Sequence, residues 1–210
     1  MTLRLAIAAT GTGVGKTTTA LAVLRAARRL GHRVAGWKPI ETGGTDDGDA
    51  LQAASNVRCP TLVQLPEPIS PHLAARRAGA PIDLATLAAE APTPRVDLFL
   101  IETAGGLFSP LDDAGATNAE LVEALAPDAL LLVAPNRLGV LHDVAAVRRG
   151  APKLAPRTVA VALTGGDAAD PSTSSNAAEL ARLHGLPVWS FPYVSAEPLE
   201  LVRWLSRRLG

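Results

Sequence analysis

The chain has 210 residues, 48% of them apolar, and balances 20 basic against 20 acidic side chains. That is enough to bury the core of one α/β domain, while zero formal charge without any strongly basic stretch excludes an electrostatic footprint for nucleic acid or an anionic membrane and leaves a small molecule as the expected partner. One cysteine, Cys59, excludes an internal disulfide framework, no apolar run approaches the roughly 20 residues that span a bilayer, and the first residues run directly into a strand pattern, so the expected compartment is the cytosol.

The first predicted strand, Leu3–Ala8, leads through Ala9-Thr10-Gly11-Thr12-Gly13-Val14-Gly15-Lys16-Thr17-Thr18 into an alanine-rich helix over Thr17–Leu30. Strand, glycine loop, helix is the context of a phosphate-binding loop, and it outweighs the reading as an ordinary βα turn. Glycines let consecutive N–H groups face one anion and the helix adds its positive end. Lys16 brings a point charge, and Thr17 offers a hydroxyl to magnesium. Thr10 stands where such loops usually carry glycine, so the loop is of a variant type.

A second strand, Val34–Trp37, ends at Lys38-Pro39, with Thr42 returning toward the same face. Only three of the 20 basic residues are lysine: Lys16, Lys38 and Lys153. Lysine is expected to persist where a compact ammonium is required and a planar guanidinium would not fit. That makes Lys38 a functional candidate against its alternative as a snorkelling surface lysine. Asp49-Ala50-Leu51-Gln52 reads as a helix start capped by Asp49, which is also a candidate magnesium ligand. Cys59–Pro94 is an irregular, proline-punctuated excursion with helical pieces at Pro71–Ala78 and Asp83–Ala89.

Strand Leu98–Ile101 runs into Glu102-Thr103-Ala104-Gly105-Gly106, which places a carboxylate for magnesium and glycine N–H groups for the terminal phosphate, rather than a merely solvated acid. Helix Asn118–Leu125 and strand Ala129–Val133 lead to Pro135–Gly139 and helix Val140–Arg149. Strand Val159–Leu163 ends at Thr164-Gly165-Gly166, followed by a small-residue polar loop, Asp167–Ser175, expected to be mobile. Helix Ser174–His184, strand Val188–Phe191 and helix Pro198–Leu209 complete the alternation.

Repeated β-α order predicts a three-layer, doubly wound, mostly parallel sheet in a single domain over residues 1–210. Its ligands are expected beyond the carboxyl ends of the strands. The four histidines read as turn or helix-end residues, and Trp37, Trp189 and Trp204 as core or helix-face residues.

Taken together, the phosphate loop, Lys38-Pro39 with Thr42, Gly48-Asp49-Ala50-Leu51, Glu67-Pro68-Ile69-Ser70-Pro71-His72, Glu102–Gly106, Leu138-Gly139 and Phe191-Pro192-Tyr193 resemble the dethiobiotin synthetases over essentially the whole chain. The resemblance implies a P-loop cyclo-ligase that closes the ureido ring of dethiobiotin from 7,8-diaminononanoate, carbon dioxide and a nucleoside triphosphate, with ATP and magnesium expected. The diamine would become a carbamate, then a carbamic-phosphoric anhydride, then the ring. Lys16 and Lys38 would be catalytic. Gly13, Val14, Gly15, Lys16, Thr17, Thr18, Asp49, Glu102, Thr103, Ala104, Gly105, Thr164, Gly165, Pro192, Tyr193 and Val194 would bind the nucleotide, with Thr17, Asp49 and Glu102 on the metal. Thr12, Lys38, Thr42, Gly139, Val140, Leu141 and His142 would bind substrate at the interface of a homodimer.

Three residues depart from the family pattern. His142 stands where asparagine is common, Thr164 where asparagine faces the purine, and Thr103 where glycine is common. Threonine has one hydroxyl where an amide both donates and accepts, so relaxed nucleotide selectivity is expected. Two other classes fit the loop less well. A partitioning-type switch ATPase typically carries a second lysine at the position of Thr10, and a small-molecule kinase an arginine-bearing lid. A glutamine-dependent ligase would need a further glutaminase domain.

Overall fold

The computed structural model describes residues 1–191 and 198–209. Six parallel strands form the main sheet: β1 (Leu3–Ala9), β2 (Val34–Trp37), β5 (Leu98–Glu102), β6 (Ala129–Pro135), β7 (Thr158–Thr164) and β8 (Val188–Phe191). Their spatial order is β2-β5-β1-β6-β7-β8. The predicted strands are all present, and the order places β1 at the centre with the chain wound outward to both sides, as parallel crossovers require. Register pairs Ile7 with Glu102 and Pro135 with Thr164, so the strand exits line one edge.

Alternation along β1 splits the core in two. Leu5, Ile7 and Ala9 pack with Leu24 of α1 (Lys16–Arg29), Leu100 and Leu131 of the sheet, and Leu201 and Leu205 of α8 (Leu199–Leu209). Ala6 and Ala8 face the other way, against Val140 and Val144 of α6 (Val140–Gly150) and Leu180 of α7 (Asn176–His184). Side chains two apart share a face of a strand, and both faces here are covered, which is why the strands read as continuous apolar runs.

The excursion packs as a third cluster on the β2–β5 end, around Trp37, Phe99, Leu65, Ala74 and Leu111. Trp37 and Phe99 stack with centroids 6.1 Å apart, and the Trp37 indole donates to the Pro60 carbonyl at 3.0 Å. Within the excursion lie α3 (Pro71–Ala78), α4 (Leu84–Ala89) and β4 (Val63–Leu65), which pairs in parallel with β3 (Ile40–Thr42) from the segment after β2; the sequence pattern announces neither of these three-residue strands.

Helix α2 spans Asp46–Ala53 with Thr45 at its N-cap, so Asp49 is not the cap. The reason lies outside the helix. The Glu41 carboxylate, on β3, accepts the Asp47 N–H at 2.8 Å and the Gly48 N–H at 3.0 Å, doing from a distance what a local cap does. Helix α5 (Asn118–Leu125) has a local solution, a capping box of Thr117 and Glu120.

Candidate active site

A crevice of about 420 Å³ opens beyond the carboxyl ends of β1, β2 and β5. Thr12, Gly13, Gly15, Lys16, Thr17 and Thr18 form one wall; Lys38, Glu41, Thr42 and Asp47 form the second; Glu102, Ala104 and Gly105 close it. These residues come from four separate segments brought together by the strand order.

Gly15 sits at φ +90, and a Cβ there would lie 3.1 Å from the Thr164 methyl. The loop is thus pressed onto the β7 exit, and the Thr164 hydroxyl donates to the Val14 carbonyl at 2.5 Å. Thr164 supports the phosphate loop from beneath, its only proton already committed to backbone. On the other side a Cβ on Gly106 would meet Gly11 Cα at 3.1 Å. The Ala104–Gly106 turn is itself held by buried Asn118, whose amide donates to the carbonyls of Ala104 (2.5 Å) and Gly106 (2.8 Å).

The crevice floor is charged and buried. Glu102 is fully buried, and its Oε1 accepts from the Thr17 hydroxyl at 2.7 Å and from Lys38 Nζ at 2.8 Å, while Oε2 has no partner. Lys38, 5% exposed, also pairs with Asp47. Burial alone would lower the Lys38 pKa, but the Glu102 charge and the hydrogen bonds to Asp47 and Glu102 outweigh it and hold the pKa above the ordinary lysine value. Lys16 is also buried, yet no acceptor within the described residues takes its ammonium; burial lowers its pKa, against the opposing pull of Glu102. Glu41 is raised, chiefly by burial.

A buried carboxylate oxygen left without a donor is expensive unless a cation completes it. Oε2 of Glu102, beside the Thr17 hydroxyl and above the phosphate loop, fits a hard divalent ion on phosphate oxygens. Among the described residues no three His, Cys, Asp or Glu side chains group as a dedicated metal cage.

Most of the anticipated residues converge, and several do not. Asp49 is exposed on α2, accepts from the Thr45 hydroxyl at 2.9 Å and does not line the crevice; the α2 acid that does is Asp47. Helix α2 begins one turn earlier than its cap-like Asp49 suggests, which rotates Asp47 inward. Thr103 is buried, with both N–H and hydroxyl directed at the Ile7 carbonyl (3.1 and 3.3 Å), so its side chain leaves the phosphate approach clear. Gly139, Val140, Leu141 and His142 lie apart from the crevice lining, at the start of α6, with Gly139 at φ +96 and His142 exposed. Gly165 (φ +66) follows Thr164 at the β7 exit. Pro192, Tyr193 and Val194 lie outside the described residues.

The loop expected to be mobile is tied down. Asp170 caps a 3₁₀ turn over Pro171–Ser174 and accepts the Leu138 N–H at 2.6 Å; Asn136 donates to the Thr173 carbonyl, and buried Asn176 donates to Asn136 and the Arg137 carbonyl. Glu41, Asp47 and Asn118 are the site residues that sequence reasoning missed. The only local signal was an acid-rich run, Asp46-Asp47-Gly48-Asp49, two residues past a Gly-Gly pair.

A family model described as an AAA domain matches residues 4–191. An ATP-dependent dethiobiotin synthetase from Anaeromyxobacter dehalogenans is 36% identical over 213 residues, covering 94% of this chain and 88% of that one. The chain belongs to the dethiobiotin synthetase family. A Streptomyces avermitilis member is 43% identical over 148 residues, 66% of this chain and 61% of its own length. Among solved structures, the signal recognition particle receptor FtsY from Elizabethkingia anophelis in complex with GDP superposes with TM-score 0.57 at 16% identity, over 90% of this chain and 56% of that one. An FtsY from Thermotoga maritima gives 0.56 at 19%, over 94% and 64%. These two show the fold, that of a P-loop NTPase, and nothing of the substrate. Among the described residues no helix is long and apolar enough to cross a membrane.

Proposed function

We propose that residues 1–210 form one P-loop catalytic domain that closes the ureido ring of dethiobiotin from 7,8-diaminononanoate, carbon dioxide and ATP, as a cytosolic homodimer. The observation that carries this reading is the pairing of Lys38, a buried ammonium at the exit of β2, with Glu102 in the same crevice as the phosphate loop. A partitioning-type switch ATPase carries its second lysine in the phosphate loop, where this chain has Thr10, and not at the exit of β2. A ligase that phosphorylates an anion has a use for a lysine there.

The backbone N–H groups of Gly13–Thr18 cradle the phosphates, with Ala104 and Gly105 opposite and Thr164 and Gly165 toward the base. Thr17 and Glu102 would hold magnesium; Asp49 would have to leave Thr45 and turn inward to join them. A bound magnesium ion would neutralise charge on the phosphate oxygens. Thr12 and Thr42 flank the diamine, and the free N–H groups at the start of α6, with His142 as a further donor, meet its carboxylate at the subunit interface.

One amine nitrogen attacks carbon dioxide and releases a proton to water, giving a carbamate. A carbamate oxygen attacks the γ-phosphorus, and ADP leaves. The second amine attacks the carbamoyl carbon, and phosphate departs as the ring closes. Lys38 stabilises the carbamate and then the migrating phosphoryl group, while Lys16 follows the β and γ oxygens. Lys38 is preorganised for this, since its charge is fixed by Glu102 and Asp47 before any anion arrives. Ring closure is chiefly a matter of positioning.

Phosphate release from Mg-ATP and bicarbonate, followed with and without diaminononanoate and with the product identified by mass, tests the proposal. Release that depends on the diamine and yields dethiobiotin is expected. Release indifferent to the diamine would return the chain to the switch ATPases.

A further inference from the structure

The crevice must admit two opposite charges. Its phosphates need cations, and Lys16 and Lys38 supply them. A diamine, by contrast, arrives as an ammonium and needs an anion. Of the three carboxylates that line the crevice, Glu102 and Glu41 are buried at 0% and 5% exposure. The side chain of Asp47 is 42% exposed. One of its oxygens, Oδ2, pairs with Lys38, and Oδ1 takes no hydrogen bond among the described residues.

The position of Asp47 is built. Glu41 holds the N–H groups of Asp47 and Gly48, which fixes the first turn of α2 against β3. Gly48 leaves room for that grip: a Cβ there would stand 2.8 Å from Glu41 Oε2 and 2.6 Å from the Thr61 hydroxyl. A buried acid, a glycine that no other residue can replace without displacement, and the opening turn of a helix thus converge to aim one carboxylate past Lys38 into the crevice.

We propose that Asp47 is a substrate-binding residue whose free Oδ1 receives the ammonium of the diamine beside Lys38. The inference rests on the ligase reading above and adds the group that selects an amine at that end of the substrate. With Lys38 on Oδ2 and the ammonium on Oδ1, one carboxylate would hold the two cations side by side at the crevice.

The test separates the amine end of the ligand from its carboxylate end. Binding of diaminononanoate and of plain nonanoate, which lacks both amines, is measured by calorimetry on the full chain, wild type and Asp47→Asn. KM values for the diamine and for ATP are measured in parallel. A charge-assisted hydrogen bond to an ammonium predicts that Asp47→Asn weakens diamine binding about tenfold or more and leaves nonanoate binding unchanged. The KM for the diamine rises accordingly while that for ATP moves less than about twofold, and Asp47→Glu recovers part of the loss.

Equal weakening of both ligands, a rise in the KM for ATP, or a fall confined to kcat would each overturn the assignment, the last by placing Asp47 on Lys38 alone. If Asp47→Asn fails to fold, Asp47→Glu and Asp47→Ser in the same paired measurement decide by the same criterion. Failure of the ligase reading is distinguishable, because wild type would then form no dethiobiotin at all.

Discussion

Glu102→Gln isolates the charge at the centre of the crevice while preserving shape. In the native chain one oxygen accepts from Thr17 at 2.7 Å and Lys38 at 2.8 Å, and the other has no donor. A glutamine oxygen can keep both hydrogen bonds, so the change removes a charge and places an NH₂ where no acceptor waits. At 2.8 Å and an effective dielectric of about 20, the Lys38 attraction is about 6 kcal/mol before desolvation. Most of that is offset, because a buried charge no longer has to be desolvated and Lys38 retains Asp47. The buried orphan donor costs about 1–3 kcal/mol. The net loss expected is about 1–3 kcal/mol, or roughly 3–10 °C in Tm for a chain of this length. Thermal unfolding is followed in four conditions: no ligand, ATP with EDTA, magnesium alone, and Mg-ATP. Wild type gains more from Mg-ATP than from ATP with EDTA; Glu102→Gln loses that magnesium-dependent increment along with its activity. A variant that is as stable as wild type and keeps the increment would refute both the buried pairing and the metal role of Oε2.

Replacement of the family's purine-facing asparagine by Thr164, whose hydroxyl serves Val14, predicts similar kcat/KM for ATP, CTP and GTP; a strong preference for ATP in steady-state assays would contradict it. Gly48→Ala would force apart Glu41 and Thr61 and is expected to cost about 1–3 kcal/mol in urea unfolding and to raise the KM for diamine through Asp47; stability within about 0.5 kcal/mol of wild type would show that the turn yields cheaply. Lys38 has its pKa raised by folding, so its stabilising share is complete below the unfolded value and is lost as pH rises through the folded one. Stability measured above about pH 10.5 should therefore fall more steeply in wild type than in Lys38→Met. Burial pushes the Cys59 thiol up to about 11, so at pH 8 it should resist a thiol reagent until the chain is unfolded.

Long periodic elements were legible because their physics is local. Leu3–Ala8, Ala129–Val133 and Val159–Leu163 are runs typical of a strand buried on both faces, and the bounds of each lie within two residues of the observed element. The phosphate loop was legible for the same reason, as were Lys38 and Glu102, since each ends such a run. What stayed hidden is held across the chain. β3 and β4 have three residues each, too few for a period of two to show, and exist because Leu62 and Val63 donate to the Pro39 carbonyl. The start of α2 could not be placed because four candidate caps stand in a row and the deciding acceptor, Glu41, lies on another element. Asn118 reads as an ordinary helix start until the fold brings Ala104 and Gly106 to it.

The same contrast explains how the crevice can be both folded and ready. Lys16 has no hydrogen-bonded carboxylate among the described residues, and its burial outweighs the pull of Glu102, a cost that a phosphate would relieve. Lys38 gives two of its three ammonium protons to Glu102 and Asp47, which leaves one for an anion that forms beside it. The oxygens of the same two acids that Lys38 does not use, Oε2 of Glu102 and Oδ1 of Asp47, are the ones open to a cation. Two acids therefore hold one lysine in place while each keeps an oxygen, and the lysine a proton, for what binds next.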